Sequence, residues 1–212
     1  MNLANRIEGV TEKLLTYAMQ EFLANGYTGA SLRTIAANAG TTPRSVYTRY
    51  KDKEGLFAAL VSENAETLRS MFSWYMNDYE VRPVEEQKQL FHDEAFEQEY
   101  QDYIDHILDY IYENWNAFKL LICKSEGTRF AGFVDEIVEI DEQHTLRYIE
   151  HTRNDVLTSG RATSQLIHLL CSSYVHGFFE CIRHDMEKDE AKNFISQLRT
   201  FFACGWDQLF HA

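Results

Sequence analysis

A chain of 212 residues with 45% hydrophobic residues, 2 prolines and 10 glycines suits a mostly helical globule, either one mid-sized domain or a small head on a larger body. It holds no apolar run long enough to span a bilayer and no basic-then-apolar start resembling a signal peptide, so a cytoplasmic location is expected. The net charge of −13 argues against DNA binding only until it is divided: residues 1–53 carry seven Lys/Arg and four Asp/Glu, a balance of +3, and residues 54–212 carry thirteen and twenty-nine, a balance of −16.

A first helix is predicted over about Asn5 to Asn25, where Ile7, Val10, Leu14, Ala18 and Phe22 recur at three- and four-residue steps and Gly26 ends the run. A second begins after Ser31, whose side-chain oxygen can accept an unpaired N–H of the first turn. It carries an apolar stripe, Leu32, Ile35, Ala36 and Ala39, and stops at Gly40. Thr42 and Pro43 restart a third, because proline's missing N–H is no loss at the first helical position, and Val46, Tyr47 and Tyr50 follow. A fourth starts near Lys53 and runs toward Asn77 with Leu56, Phe57, Leu60, Val61, Leu68 and Phe72.

The pattern breaks at Val81-Arg82-Pro83. Beyond it lie an acidic, aromatic-rich helical stretch from about Val84 to Asn114 and a short helix from Asn116 to Lys124, ended near Gly127. A helix from Phe130 to Asn154 has Phe133, Ile137, Ile140 and Tyr148 inward. Two amphipathic segments, Ala162 to His184 and Asp189 to His211, complete the chain. The expectation is an all-α protein of about nine helices: a head over residues 1–53 and a helical body over 54–212, with the fourth helix (about 53–77) bridging the two. An acidic body is repelled by phosphates, which turns the basic head toward DNA.

Two short helices joined by a tight turn, with small Ala36 at their crossing and Gly40 in the turn, form the pattern of a helix-turn-helix, whose second helix enters the major groove. From Thr11 to Leu60 the sequence resembles the DNA-binding domain of the TetR family of bacterial transcriptional repressors. Ala18, Phe22, Gly26, Tyr27, Ser31, Ile35, Ala36, Ala39, Gly40, Val46, Tyr47, Tyr50, Lys53, Glu54 and Leu56 stand in the family's order and spacing. Thr41 replaces the family's usual valine, and Arg44 stands where a small residue is common, which implies an operator of this protein's own. The resemblance implies a sequence-specific regulator, a repressor that dimerises on a palindromic operator and is released by a small-molecule effector. The alternative is a DNA-binding regulator without such an effector, controlled by a protein partner.

Thr42, Pro43, Arg44, Ser45 and Arg49 form the expected groove-facing set, since the early residues of a recognition helix point at base edges. Arg44 is the candidate for base readout, its guanidinium fork matching the two acceptors of guanine; the bland alternative is a solvated arginine. The resemblance implies that Tyr47 gives its hydroxyl to a phosphate, against the alternative of a core tyrosine. Lys53 and the helix terminus it sits on both favour a phosphate, and Ser31 and Arg33 meet the backbone in the same way. Phosphate contacts fix register and base contacts choose sequence.

In the resembled family the last two helices of each protomer form a four-helix bundle with those of its mate. Ser173 and Gly177 allow a close neighbour, among Leu166, Leu170, Tyr174, Phe178 and Ile182, and the last helix offers Phe194, Leu198, Phe201, Phe202, Trp206 and Leu209. This surplus fits a dry interface with a second copy, or else completes the monomer core. A two-fold dimer requires half-sites roughly 34–36 Å apart.

The resemblance further implies a pocket among the middle helices. Its candidates are Tyr100, Tyr103, Ile104, Ile107, Leu108 and Ile111, followed by Trp115, Phe118, Phe133, Ile137 and Tyr174. Aromatics beside Glu97, Glu99, Asp102, Asp105 and Asp109 suit a lipophilic cation, the alternative being a packed core with a solvated acidic face.

His144, His151, His168, His176 and His184 occur without a His-Glu-x-x-His motif, and no Gly-x-Ser-x-Gly or phosphate-cradling glycine loop is present, so no catalytic, cofactor or metal site is expected. Cys123, Cys171, Cys181 and Cys204 are scattered and form no Cys-x-x-Cys pair, which suits reduced, packed thiols.

Overall fold

The computed structural model describes residues 3–87 and 94–211; residues 88–93 of the expected acidic helix and the side chain of Ile7 lie outside the described residues. The described residues form ten helices and no strand. They are α1 (Leu3–Gly29), α2 (Leu32–Asn38), α3 (Pro43–Tyr50), α4 (Lys53–Glu80), α5 (Val84–Gln87), α6 (Glu94–Glu113), α7 (Trp115–Cys123), α8 (Phe133–Thr152), α9 (Ser164–Arg183) and α10 (Lys188–His211). Within the stretch from Val84 to Asn114, α5 and α6 are described on either side of residues 88–93.

The chain divides into two compact units, residues 1–67 with 114–133 and residues 68–113 with 134–212. The first therefore takes in more than the head over residues 1–53: the front half of α4 and all of α7 belong to it. Leu14, Ala18 and Phe22 of α1 are fully buried, together with Ile35, Ala36, Val46, Leu56, Phe57 and Val61. The Phe22 and Phe57 rings meet edge to face at 5.1 Å, Tyr27 stands edge-on to Phe57 at 5.6 Å, and Phe130 lies against Phe57 at 6.2 Å. Burying a ring such as Phe57 contributes about 2–3 kcal/mol, so this aromatic cluster holds α1 and α4 together. Gly26, at φ 67, breaks α1, and the turn beyond it is pinned by the Tyr27 N–H donating to the Lys124 carbonyl at 3.0 Å.

The second unit comprises the back half of α4, with α5, α6, α8, α9 and α10. α10 packs against both α9 and α6. A Cβ at Gly177 would lie 3.0 Å from Leu198 Cδ2, so glycine there lets α9 and α10 of the same chain approach closely. Lys192 Nζ to Asp105 Oδ2 at 3.0 Å and Lys188 Nζ to Asp109 Oδ1 at 2.8 Å tie α10 to α6. Both pairs are partly solvated, so each contributes at most about 1 kcal/mol.

Candidate nucleic-acid interface and effector cavity

Local chemistry builds the helix-turn-helix. Ser31 Oγ accepts the Thr34 N–H at 3.3 Å, capping α2, and the Ser31 N–H donates to Glu21 Oε1 at 2.9 Å, fixing the entry of α2 on α1. Gly40 adopts φ 68, and the Thr41 N–H reaches the Ala36 carbonyl at 2.9 Å, which closes the turn. Pro43 opens α3, and Val46 is its buried anchor. Lys51 takes φ 69 after α3, and Asp52 Oδ1 accepts the Gly55 N–H at 2.7 Å at the start of α4.

Thr42, Arg44, Tyr47 and Thr48 are exposed on α3 and at its lead-in, and Arg33 is exposed on α2. Tyr47 is 54% exposed, so it is no core tyrosine. Ser31, Pro43, Ser45 and Arg49 are half-buried. Arg49 is turned inward: its Nε donates to Thr11 Oγ1 at 3.3 Å, and its Nη1 to the Ser45 carbonyl at 3.3 Å and to Ser45 Oγ. In this arrangement Arg49 braces α3 against α1. Lys53 Nζ donates to the Thr28 carbonyl at 3.2 Å and rides 4.8 Å above the Tyr27 ring. Partial burial lowers its pKa against the pull of Glu21. Two of its three ammonium donors remain for a phosphate. Thr48 escaped the sequence reading; its place four residues after Arg44 is the signal that shares its face.

The second unit contains a cavity of about 170 Å³. α4 lines it with Tyr75 and Glu80, α6 with Phe96 and Tyr100, α8 with Asp141, His144, Thr145 and Tyr148, α9 with Tyr174, and α10 with Arg199, Phe202, Trp206 and Phe210. Tyr100 and Tyr174 share a hydroxyl–hydroxyl hydrogen bond of 2.6 Å. Burial and this mutual contact push the Tyr100 phenol well up. Glu80 holds two bases of α8, His144 Nδ1 and Arg147 Nη1, the latter at 3.2 Å. Burial lowers the His144 pKa against the opposing pull of Glu80. The Arg199 guanidinium sits 4.2 Å over the Tyr100 ring and is paired with Glu97. Asp141 is hydrogen-bonded by the Cys171 thiol, and burial raises its pKa to about 6.

Of the expected pocket residues, only Tyr100 and Tyr174 line this cavity. Tyr103 and Ile104 line a smaller recess of about 20 Å³, along with Asp141 and Phe178. Ile107, Leu108, Ile111 and Ile137 are fully buried among neighbouring side chains, because their helices turn those positions into the core. Trp115, Phe118 and Phe133 belong to the other compact unit. The acids expected beside the aromatics also point elsewhere. Glu97, Glu99, Asp105 and Asp109 pair with Arg199, Arg82, Lys192 and Lys188, and Asp102 accepts from Gln98. The carboxylates that do line the cavity, Asp141 and Glu80, stand on α8 and at the end of α4.

The expected interface residues separate likewise. Leu166 is exposed, Leu169 is 60% exposed and Phe201 is 76% exposed; Ser173 is exposed as well, and Leu170 and Phe194 are half-buried. Phe178, at 2%, is instead core, edge-on to Phe72 and Phe179. Phe202 stands edge-on to Tyr174 at 5.3 Å inside the cavity wall. Leu198 fills the space at Gly177, and Leu209 packs on the cluster around Tyr148 and Phe210.

His168, His176 and His184 each meet one carboxylate, of Glu142, Asp135 and Glu180. No group of three or more His, Cys, Asp or Glu able to hold a metal occurs among the described residues. Cys171 and Cys181 are buried, and burial pushes the Cys181 thiol up to about 12. No helix among the described residues is long and apolar enough to cross a membrane.

Residues 14–60 match the family model of the bacterial regulatory proteins of the tetR family. No curated protein sequence matches the chain. Among solved structures, NalD, the secondary repressor of the MexAB-OprM multidrug efflux pump in Pseudomonas aeruginosa, is 18% identical over 91% of this chain and 96% of its own, with a TM-score of 0.51. A Mesorhizobium loti structure described as a TetR-family transcriptional regulator is 15% identical over 97% of this chain and 98% of its own, with a TM-score of 0.47. At these identities the likeness is one of fold alone. The amino-terminal unit carries the DNA-binding domain of the tetR family of bacterial regulatory proteins.

Proposed function

We propose that the protein is a cytoplasmic, dimeric repressor that reads a palindromic operator with α3 and leaves it when a small molecule fills the cavity of the second unit. The observation that carries this reading is the outward face of α3, where Thr42, Arg44 and Tyr47 are exposed while Val46 anchors the helix from behind. Arg44 reads a guanine; Thr42, Tyr47, Lys53, Ser31 and Arg33 meet backbone, and Pro43, Ser45 and Arg49 set the pose of the helix. Repression is favoured over activation by the likeness of fold to NalD, itself named a repressor. Leu166, Leu169, Ser173 and Phe201 supply a face for a second copy.

Release works through α4, which carries Lys53 in its first turn and contributes Tyr75 and Glu80 to the cavity wall. A ligand that binds better when these two residues are displaced shifts the protein toward the geometry that does not fit DNA. The test is a gel shift with DNA from upstream of the protein's own gene, repeated against a compound library. Sequence-selective retardation of a dimer, reversed by particular compounds, is expected. A strictly monomeric protein, or one indifferent to duplex DNA in dilute buffer, overturns the proposal.

A further inference from the structure

The charges on the cavity wall do not all cancel. Glu80 is matched in charge by Arg147 and hydrogen-bonded to His144. Arg199 is matched by Glu97 and by the face of the Tyr100 ring. Asp141 meets no basic side chain among the described residues; its partner is the Cys171 thiol, a weak donor. Its negative charge is felt by the phenols of Tyr100, Tyr103 and Tyr174, each of which it makes harder to ionise. Two further groups on the same wall also lack a partner: the Tyr75 and Tyr148 hydroxyls are buried without a hydrogen bond among the described residues. A half-buried carboxylate with only a thiol for a partner and two buried hydroxyls without one are costly to the empty protein, and all three can accept from an N–H donor. Most of the rest of the wall is aromatic, Phe96, Tyr100, Tyr174, Phe202, Trp206 and Phe210, with Gln87, Thr145 and Ala203 between them.

We infer that the cavity is built for a primary ammonium carried on a single aromatic ring, with Asp141 as its counter-ion. An ammonium brings one positive charge and three donors, and aromatic faces add attraction for a cation. Size sets the body of the ligand. A cavity of about 170 Å³ is slightly larger than the roughly 150 Å³ that encloses a benzene ring, so one ring and a short aminoalkyl arm fit. The inference rests on reading this cavity as the effector site and adds the chemistry of the ligand. It also moves the cation site from the acids of α6, which are occupied by ion pairs, to one carboxylate on α8.

Calorimetric titration of the full-length protein with 2-phenylethylamine, 2-phenylethanol and phenylacetate tests it, using the wild type and Asp141→Asn. The three probes share a ring and differ in charge. The wild type is expected to bind the amine at least about tenfold more tightly than the alcohol, and the variant to bind the two about equally. The alcohol also reports whether the variant's cavity is intact. The inference is overturned if the alcohol or phenylacetate binds the wild type as tightly as the amine does. It is equally overturned if Asp141→Asn keeps the preference for the amine, or if none of the three binds. A gel shift in parallel separates it from the broader reading. Amine binding at Asp141 with no effect on operator affinity sustains the amine site and refutes effector release. Binding and release by the alcohol alone does the reverse.

Discussion

Removing the charge of Asp141 should stabilise the empty protein, and the gain should depend on pH. Burial raises this carboxyl from its ordinary 3.8 to about 6, against a smaller opposing pull from the Cys171 thiol. By linkage, holding such a group ionised at neutral pH costs the folded state about 3 kcal/mol. Asp141 is half-buried, facing the cavity, and water there recovers part of that cost, which leaves about 2 kcal/mol. The sign follows from a folded-state pKa above the unfolded one. The penalty is complete above about pH 6, shrinks as pH falls through 6, and disappears below the unfolded value. Asp141→Asn keeps the shape and an acceptor but carries no charge. Urea denaturation followed by helical circular dichroism, at one protein concentration, should show the variant about 2 kcal/mol more stable than the wild type near pH 7.5. The gap should fall to about a third of that near pH 4.5. Comparing the two proteins at each pH cancels the titration of every other carboxylate. A variant no more stable than wild type at pH 7.5, or a gap that does not narrow on acidification, would refute the reasoning.

Other expectations concern the DNA-binding unit and the outer face of the second. Arg44→Ala should lose discrimination at particular base pairs, about 1–3 kcal/mol each, in competition gel shifts with mutated operators. Lys53→Ala should instead weaken binding to all sequences and lower the slope of log affinity against log salt by about 1; an unchanged slope would remove Lys53 from the phosphate contacts. Gly55→Ala would place a Cβ 1.8 Å from the Tyr50 carbonyl oxygen, a backbone atom that cannot yield cheaply. It should destabilise the first unit by about 3 kcal/mol, visible in thermal unfolding, together with loss of operator binding. Phe201→Glu alters a side chain that is 76% exposed in the single chain, so the monomer should fold normally. Sedimentation should show dissociation and the gel shift a weaker complex, whereas an intact dimer would exclude α10 at this point from the interface.

The first unit was legible because its signals are local. Ser31, Gly40 and Pro43 each fix a helix end by the chemistry of one residue, and the buried Ile35, Ala36 and Val46 recur at helical steps whatever surrounds them. The second unit was legible as helices but not as surfaces. An amphipathic stripe says that a side chain leaves the water, without saying whether it enters a core, a cavity or a partner. Phe178 and Phe201 look alike on paper, yet one is 2% exposed and the other 76%. Ile107 and Leu108 read as pocket residues because apolar linings and apolar cores share a composition. The separating signal was polar. Along α8 the inward stripe that begins with Ile137 continues through Asp141, Thr145 and Tyr148, and along α10 the stripe that begins with Ile195 continues through Arg199, Phe202 and Trp206. A charged residue at a position where the stripe calls for an apolar one has to face either a partner or a hollow, since burying it in a close-packed core costs too much. Two such interruptions on different helices, one acidic and one basic, therefore mark the wall of a cavity more sharply than the aromatic residues around them.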